Sequence, residues 1–300
     1  MDFSACRHQV TLDAQQLSYL DIGQGPTLLF GHGYLCDSRI WAPQLAQLSQ
    51  DYRCIVPDLW GHGHSGALPA SCRNLQDLAK QMLALLDLLK IDSCELVGHG
   101  MGAIWGTELA LLAPGRVRSL VLLNSFIGFE PEVTRDKYLA LLDEAAAVGH
   151  FPSAMIDSMA PLFFAADTRT RAPDLYQDFC HSLATHGTTH GTAPHNAAHD
   201  SANSEAHNAT NSAEPLASLV RLGRMLFGRR DLLEEVEALA LPCLIMVGCE
   251  NRLRTVLESY LMHDALDGSE YVQLQHAGHL ATLEQAEVVT ARLGQFLSRP

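Results

Sequence analysis

The stretch Leu96-Val97-Gly98-His99-Gly100-Met101-Gly102-Ala103 constrains this chain more than any other. The apolar run from Cys94 to Val97 predicts a strand, and Met101, Ala103, Ile104 and Trp105 open a helix with no loop between. A strand that turns so sharply into a helix leaves no room for side chains at the turn, which is why Gly98 and Gly102 frame it. The helix must then pack back onto the sheet that its strand belongs to, the geometry of parallel α/β proteins.

The rest of the chain alternates around that turn. Gln9-Val10-Thr11-Leu12 and Leu17-Ser18-Tyr19-Leu20 alternate with period two and predict a β-hairpin. Gly23-Gln24-Gly25-Pro26 is a turn, and Thr27-Leu28-Leu29-Phe30 is a continuous apolar strand of the kind buried on both faces. It ends in Gly31-His32-Gly33-Tyr34, where small residues let backbone N–H groups line a cavity. A helix is expected from Trp41 to Leu48, a strand over Cys54-Ile55-Val56-Pro57, and an amphipathic helix from Leu75 to Leu89. Ser119 to Leu123 is a further strand, ending at Asn124-Ser125-Phe126.

Helical periodicity dominates from about residue 130 to 240, most clearly over Tyr138 to Leu142 and Leu216 to Leu226. Thr185 to Pro215 contains no Val, Ile, Leu, Met, Phe, Tyr or Trp, so burial cannot offset its ordering entropy and a mobile loop is expected. Pro242 to Val247 restores the strand pattern. A helix (Val256 to Leu266), a short strand (Tyr271 to Leu274) and a last helix (Ala281 to Leu297) close the chain. The expected fold is α/β: a doubly wound, mostly parallel sheet formed by residues 1–129 and 241–300, with 130–240 as a helical lid inserted after the sixth strand and a His-rich loop at 185–215.

Composition narrows the function. The formal net charge of −14 disfavours nucleic acid and anionic membrane surfaces as partners. No apolar run reaches the roughly 18 residues of a membrane span, and Met1 to His8 lacks the pattern of a signal peptide. Eight cysteines with no CxxC pair, several in expected strands, suit a reducing cytoplasm. With no dinucleotide fingerprint, Walker loop or zinc pattern, no cofactor is expected. His181, His186, His190, His195, His199 and His207 invite a metal reading by their spacing. Gly187, Gly191 and Pro194 break any helix there, so no specific metal site is expected.

Four landmarks now stand in order, each at a strand end: His32-Gly33, Asp58-Leu59-Trp60-Gly61-His62-Gly63-His64-Ser65, Gly98 to Gly102, and Gly278-His279. In this the chain resembles the α/β-hydrolase family over nearly its whole length. The resemblance makes Gly98–Gly102 the nucleophile elbow, G-x-S-x-G, whose tip has φ > 0 and lifts its side chain above the sheet edge. Here the tip is Gly100, and the nucleophile is missing. It makes His279 the general base. It places the acid at Asn251, where an amide cannot carry the charge that stabilises an imidazolium, a change worth about 10⁴ in kcat in serine proteases. Glu250 and Glu130 (with Glu132 beside it) are the carboxylates that could substitute. Backbone N–H groups of Tyr34 and Met101 would form the oxyanion hole, and His32, Gly33, His99 and Phe126 would contact substrate.

The resemblance implies an acyl hydrolase for a small, partly apolar ester or thioester, working through an acyl-enzyme at position 100 and inactivated in this chain. Either a Ser or Cys has been replaced there, or Gly100 is native and the pocket binds without reacting. One alternative is an aminoacyl or acyl transferase between carrier proteins with a Cys at the elbow, for which Arg221, Arg224, Arg229 and Arg230 would form the basic patch. The other is a non-catalytic, ligand-binding relative. The partner expected in every case is a small molecule, with a carrier protein added in the transferase case. Phe151, Met155, Met159, Leu162, Phe163 and Phe164 are expected either to bury against the core or to line the pocket.

Overall fold

The computed structural model describes residues 3–185 and 213–299. Eight strands form one sheet: β1 Arg7–Leu12, β2 Gln15–Ile22, β3 Thr27–Gly31, β4 Arg53–Asp58, β5 Cys94–His99, β6 Val117–Leu123, β7 Cys243–Gly248 and β8 Glu270–Leu274. Their order is β1-β2-β4-β3-β5-β6-β7-β8. The β1–β2 hairpin and the β2–β4 pair are antiparallel; every other pair is parallel. This is the mostly parallel α/β sheet expected. β3 and β7 are buried along their whole length, as their unbroken apolar runs require.

The helices are α1 Ala42–Leu48, α2 Leu75–Leu88, α3 Met101–Leu112, α4 Glu132–Val148, α5 Ser153–Met159, α6 Thr168–Arg171, α7 Pro173–Thr185, α8 Ala213–Phe227, α9 Leu233–Val236, α10 Val256–Ala265, α11 Ala281–Glu284 and α12 Ala286–Leu297. α1 packs with α12, and α2 packs with α3. Every described element between β6 and β7 is helical. α2 starts where Asn74 caps it, its side chain accepting from the Asp77 N–H at 2.8 Å. α3 is buried from Met101 to Ala110, as expected of a helix that is apolar all round. None of the described helices is long and apolar enough to cross a membrane.

The last helix differs from expectation. The chain breaks at Gln285 (φ −129°, ψ 46°), giving α11 and α12. The cause is tertiary. The buried Glu284 carboxylate accepts from the backbone N–H of Gly278 at 2.7 Å and of Ala165 at 2.8 Å, and from the Thr168 hydroxyl. The tract at 185–215 falls almost wholly outside the described residues, and with it the mobile-loop expectation and His186, His190, His195, His199 and His207.

The elbow is as tight as its glycines imply. A Cβ on Gly98 would lie 2.4 Å from the Ala103 Cα, and one on Gly102 would lie 2.1 Å from the Gly31 carbonyl oxygen. Both neighbours are backbone, so the first cannot yield without moving α3 off β5, nor the second without moving α3 off β3. Gly102→Ala is therefore expected to destabilise the fold by about 1–3 kcal/mol or more through overpacking. Urea unfolding of the variant beside the parent checks this, and unchanged stability would contradict the packing described.

Candidate active site

Gly100 adopts φ 53° and ψ −117° between β5 and α3. Its N–H donates to the Leu123 carbonyl at 3.0 Å, and its carbonyl accepts from Ser125 Oγ at 2.8 Å. A Cβ built on Gly100 would sit 3.3 Å from His279 Nε2 and 3.3 Å from the Gly33 Cα. The fold thus brings position 100 and His279 to the spacing of a nucleophile and its base, with hydrogen in place of the side chain.

His279 lies in the turn after β8, and three groups hold that turn. Asn124, at the end of β6 with φ 50°, donates Nδ2 to the carbonyls of Gly278 (3.1 Å) and His279 (2.7 Å) and accepts from the Gly248 N–H at 2.8 Å. Glu284 holds the Gly278 N–H, and His99 Nε2 donates to the His279 carbonyl at 2.7 Å. The imidazole is set between the His99 ring (centroids 4.6 Å) and the Phe163 ring (5.4 Å, edge-on). Burial, then His99 and the charge of Arg254, depress its pKa well below the ordinary imidazole range. The ring is neutral at physiological pH. Asn124 and Glu284 went unmarked in the sequence; a polar residue directly after an unbroken apolar strand was the available signal for the first.

Of the candidate acid positions, one reaches the histidine. Asn251 Nδ2 lies 3.3 Å from His279 Nδ1. Glu250 does not substitute: one oxygen accepts from the Ala166 N–H at 2.9 Å and the other faces His276 at 3.9 Å. Glu130 does not either, being buried and bound by Arg229 (2.8 Å) and Arg254 (2.6 Å). Burial pushes the Glu130 carboxyl up, but Arg254 first and then Arg229 outweigh it, so its net shift is downward. Glu132 starts α4 and faces Arg135.

A cavity of about 90 Å³ opens beside Gly100, several times the roughly 10–15 Å³ that one water requires. Tyr34, Met101 and His279 stand at its Gly100 end, and among the described residues Arg254 is its one other charged or ionisable neighbour besides tyrosines. Phe151, Met155, Met159, Leu162 and Phe163 form its apolar wall, whereas Phe164 is buried against Tyr176 and Phe179. Four residues expected to contact substrate lie outside this lining. His32 is buried with both ring nitrogens engaged, by the Gly33 carbonyl (2.8 Å) and the Leu59 N–H (2.8 Å). His99 is buried beneath His279, its pKa pushed down to about 4 by burial against the opposing bond to the His279 carbonyl. Gly33 packs on the His99 ring, and Phe126 packs over Gly128. None of the four lines the cavity.

Arg221, Arg224, Arg229 and Arg230 do come together, around a separate outer cleft. Each is engaged: Arg221 by the carbonyls of Leu68, Pro69 and Cys72, Arg224 by Asp143, Arg229 by Glu130, and Arg230 by Glu108 and Glu235. Arg224, Arg229 and Arg230 are ion-paired, whereas Arg221 meets only neutral carbonyls. Among the described residues, no group of three or more His, Cys, Asp or Glu is placed to hold a metal ion.

A parallel sheet, a glycine elbow and a facing histidine define a class. The sequence profile of the alpha/beta hydrolase fold matches residues 26–286, and the chain belongs to that family. Among curated proteins it is similar to “Putative carbamate hydrolase RutD” of Pseudomonas syringae, 31% identical over 184 residues, which is 61% of this chain and just under two thirds (64%) of that one. The protein of the same name from Stutzerimonas stutzeri is 27% identical over 266 residues, covering 87% and 88%. Among solved structures, a thermophilic esterase from Thermogutta terrifontis superposes with TM-score 0.81 at 21% identity, covering 97% of each chain. The enol-lactonase from Burkholderia xenovorans does so with TM-score 0.80 at 22% identity, covering 97% of this chain and 100% of that one. At such identities the structural likeness speaks for the fold.

Proposed function

We propose that this protein hydrolyses a small, mostly apolar carbonyl compound (an ester, lactone or carbamate) held under the helical lid, with water rather than a side chain as the nucleophile. The observation that carries the reading is the open position at Gly100, where a Cβ would stand 3.3 Å from Nε2 of the neutral His279 ring, at one end of an apolar cavity. The water oxygen bonds to the carbonyl carbon, the bond to the leaving group breaks, and the leaving group takes the water's proton. Negative charge on the carbonyl oxygen faces the backbone N–H groups of Met101 and Tyr34 and the His279 ring. A neutral histidine can polarise a carbonyl without becoming an imidazolium. No acyl-enzyme forms.

Carbamates enter the substrate class through the name of the curated relatives, and esters and lactones through the names of the structural neighbours. The transferase alternative finds no cysteine at position 100.

The test is turnover of a p-nitrophenyl ester, a γ-lactone and an alkyl carbamate, with intact-protein mass spectrometry on each mixture. The expected result is slow turnover above the buffer rate, lost in His279→Ala, with no mass adduct on the parent. An adduct on the parent overturns the non-covalent route. A rate equal to buffer for all three overturns hydrolysis and leaves a binding pocket.

A further inference from the structure

We infer that Asn251 fixes His279 with its proton on Nε2, making the ring a permanent donor, and that the Gly100 end of the cavity recognises a carboxylate on a small apolar body. The inference rests on the reading of this cavity as the substrate site.

The direction of the Asn251 amide is determined by its other contacts. Asn251 Oδ1 accepts from the backbone N–H groups of Leu253 (3.0 Å) and Arg254 (3.1 Å). Turning the amide over would set its NH₂ against two backbone donors, and an unpaired buried polar group costs about 1–3 kcal/mol. The group that faces His279 Nδ1 is therefore Nδ2, which carries hydrogens and has no lone pair to offer. Nδ1 must accept. A neutral imidazole has one N–H, so it sits on Nε2. An aspartate in the same place would do the reverse: one oxygen would take the two backbone donors and the other would draw the ring proton to Nδ1.

The Nε2–H then points at the space beside Gly100, 3.3 Å from where a Cβ would be. The neighbouring polar groups have the same sense. The Met101 N–H opens α3, a helix of 12 residues, and helix N-termini favour negative charge. Arg254 lines the wall, its guanidinium held by the carboxylates of Glu130 and Glu258. The acceptors nearby are already used: the Gly100 carbonyl by Ser125, and Tyr34 gives its hydroxyl proton to the Leu219 carbonyl at 2.9 Å. A cavity end lined by the Nε2–H of His279 and the N–H of a helix N-terminus, with apolar walls beyond, is complementary to a planar O–C–O anion. The acid released from an ester and a carbamate anion share that group.

The test uses the full chain labelled with ¹⁵N-histidine. Long-range ¹H–¹⁵N correlation spectra, assigned with His279→Gln, should show His279 as the Nε2–H tautomer, and Asn251→Asp should move the proton to Nδ1. Butyrate should bind the parent at least tenfold more tightly than butyramide. Asn251→Asp should lose at least tenfold in butyrate affinity while butyramide changes little. An Nδ1–H ring in the parent overturns the inference and removes the His279 donor from the carbonyl; turnover itself is read separately by the ester, lactone and carbamate assays. Butyrate binding no better than butyramide overturns the assignment of the ligand. An Nε2–H ring with carboxylate preference in a protein that turns nothing over sustains the inference and removes the hydrolysis reading alone. The parent spectrum answers the first point even where a variant does not fold.

Discussion

Gly100→Ser combined with Asn251→Asp is expected to acylate on an activated ester about 10⁴-fold faster than Gly100→Ser alone, the factor that an Asp-to-Asn change costs a serine triad. The serine Cβ would stand 3.3 Å from His279 Nε2, which puts Oγ within hydrogen-bond reach of the base. With Asn251 in place that nitrogen carries the proton and cannot accept another. With aspartate the proton moves to Nδ1, Nε2 becomes the acceptor, and the imidazolium formed during attack gains a counter-charge. Asn251→Asp alone should give no acyl adduct, because position 100 still carries no nucleophilic side chain. The serine has a conformational cost: a non-glycine residue at φ 53°, ψ −117° is strained, by about 1–3 kcal/mol. Both serine variants should therefore melt below the parent. Stopped-flow release of p-nitrophenol with mass spectrometry of the adduct checks the rates. Equal acylation by the single and double variants would show that the amide does not control the ring.

Glu130→Ala is expected to destabilise the protein by about 3–5 kcal/mol at pH 7, the range for a broken buried ion pair. Glu130 is the shared acceptor of two buried arginines, at 2.8 Å from Arg229 and 2.6 Å from Arg254. Arg229 depends on it most. Nε and Nη2 of Arg229 find no hydrogen-bond partner, and burial, with the nearby charge of Arg254, lowers its pKa to about 10 against the pull of Glu130. Without the carboxylate, two guanidinium groups face each other in a dry site. The pH dependence has a definite sign. The folded pKa of Glu130 is depressed, so its contribution is fully present above the unfolded value of about 4.3 and is lost as pH falls through the folded one. Urea unfolding of parent and variant should show a constant gap between about pH 5 and 8, narrowing below. A gap under 1 kcal/mol at pH 7 would contradict the pairing described.

The parts of this molecule that the chain announces locally are those set by periodicity and by backbone space. Period-two runs and unbroken apolar runs mark the eight strands. Gly98 and Gly102 mark the elbow because a Cβ at either would meet backbone. The empty tip at Gly100, the amide at Asn251 and the histidine after the last strand are each visible as single letters at a landmark. The ends of elements were less legible: the break at Gln285 follows from a carboxylate held by Ala165 and Gly278, residues of other segments.

What the sequence by itself determined is the α/β sheet, its order of landmarks and the absence of a side chain at position 100, because backbone sterics and apolar periodicity act over a few residues. What only the tertiary structure decided is which groups meet. Glu130 and Glu250, equally eligible as letters, are drawn to Arg254, Arg229 and Ala166. His32 and His99 are used to hold backbone, and the four arginines of the outer cleft are each engaged. The direction of the Asn251 amide, and with it the proton on His279, depends on two backbone N–H groups lying within about 3 Å of one oxygen. Hydrogen bonding and ion pairing are decided at that distance: the amide is turned by its own loop, but its meeting with His279, 28 residues on, is made only by the fold.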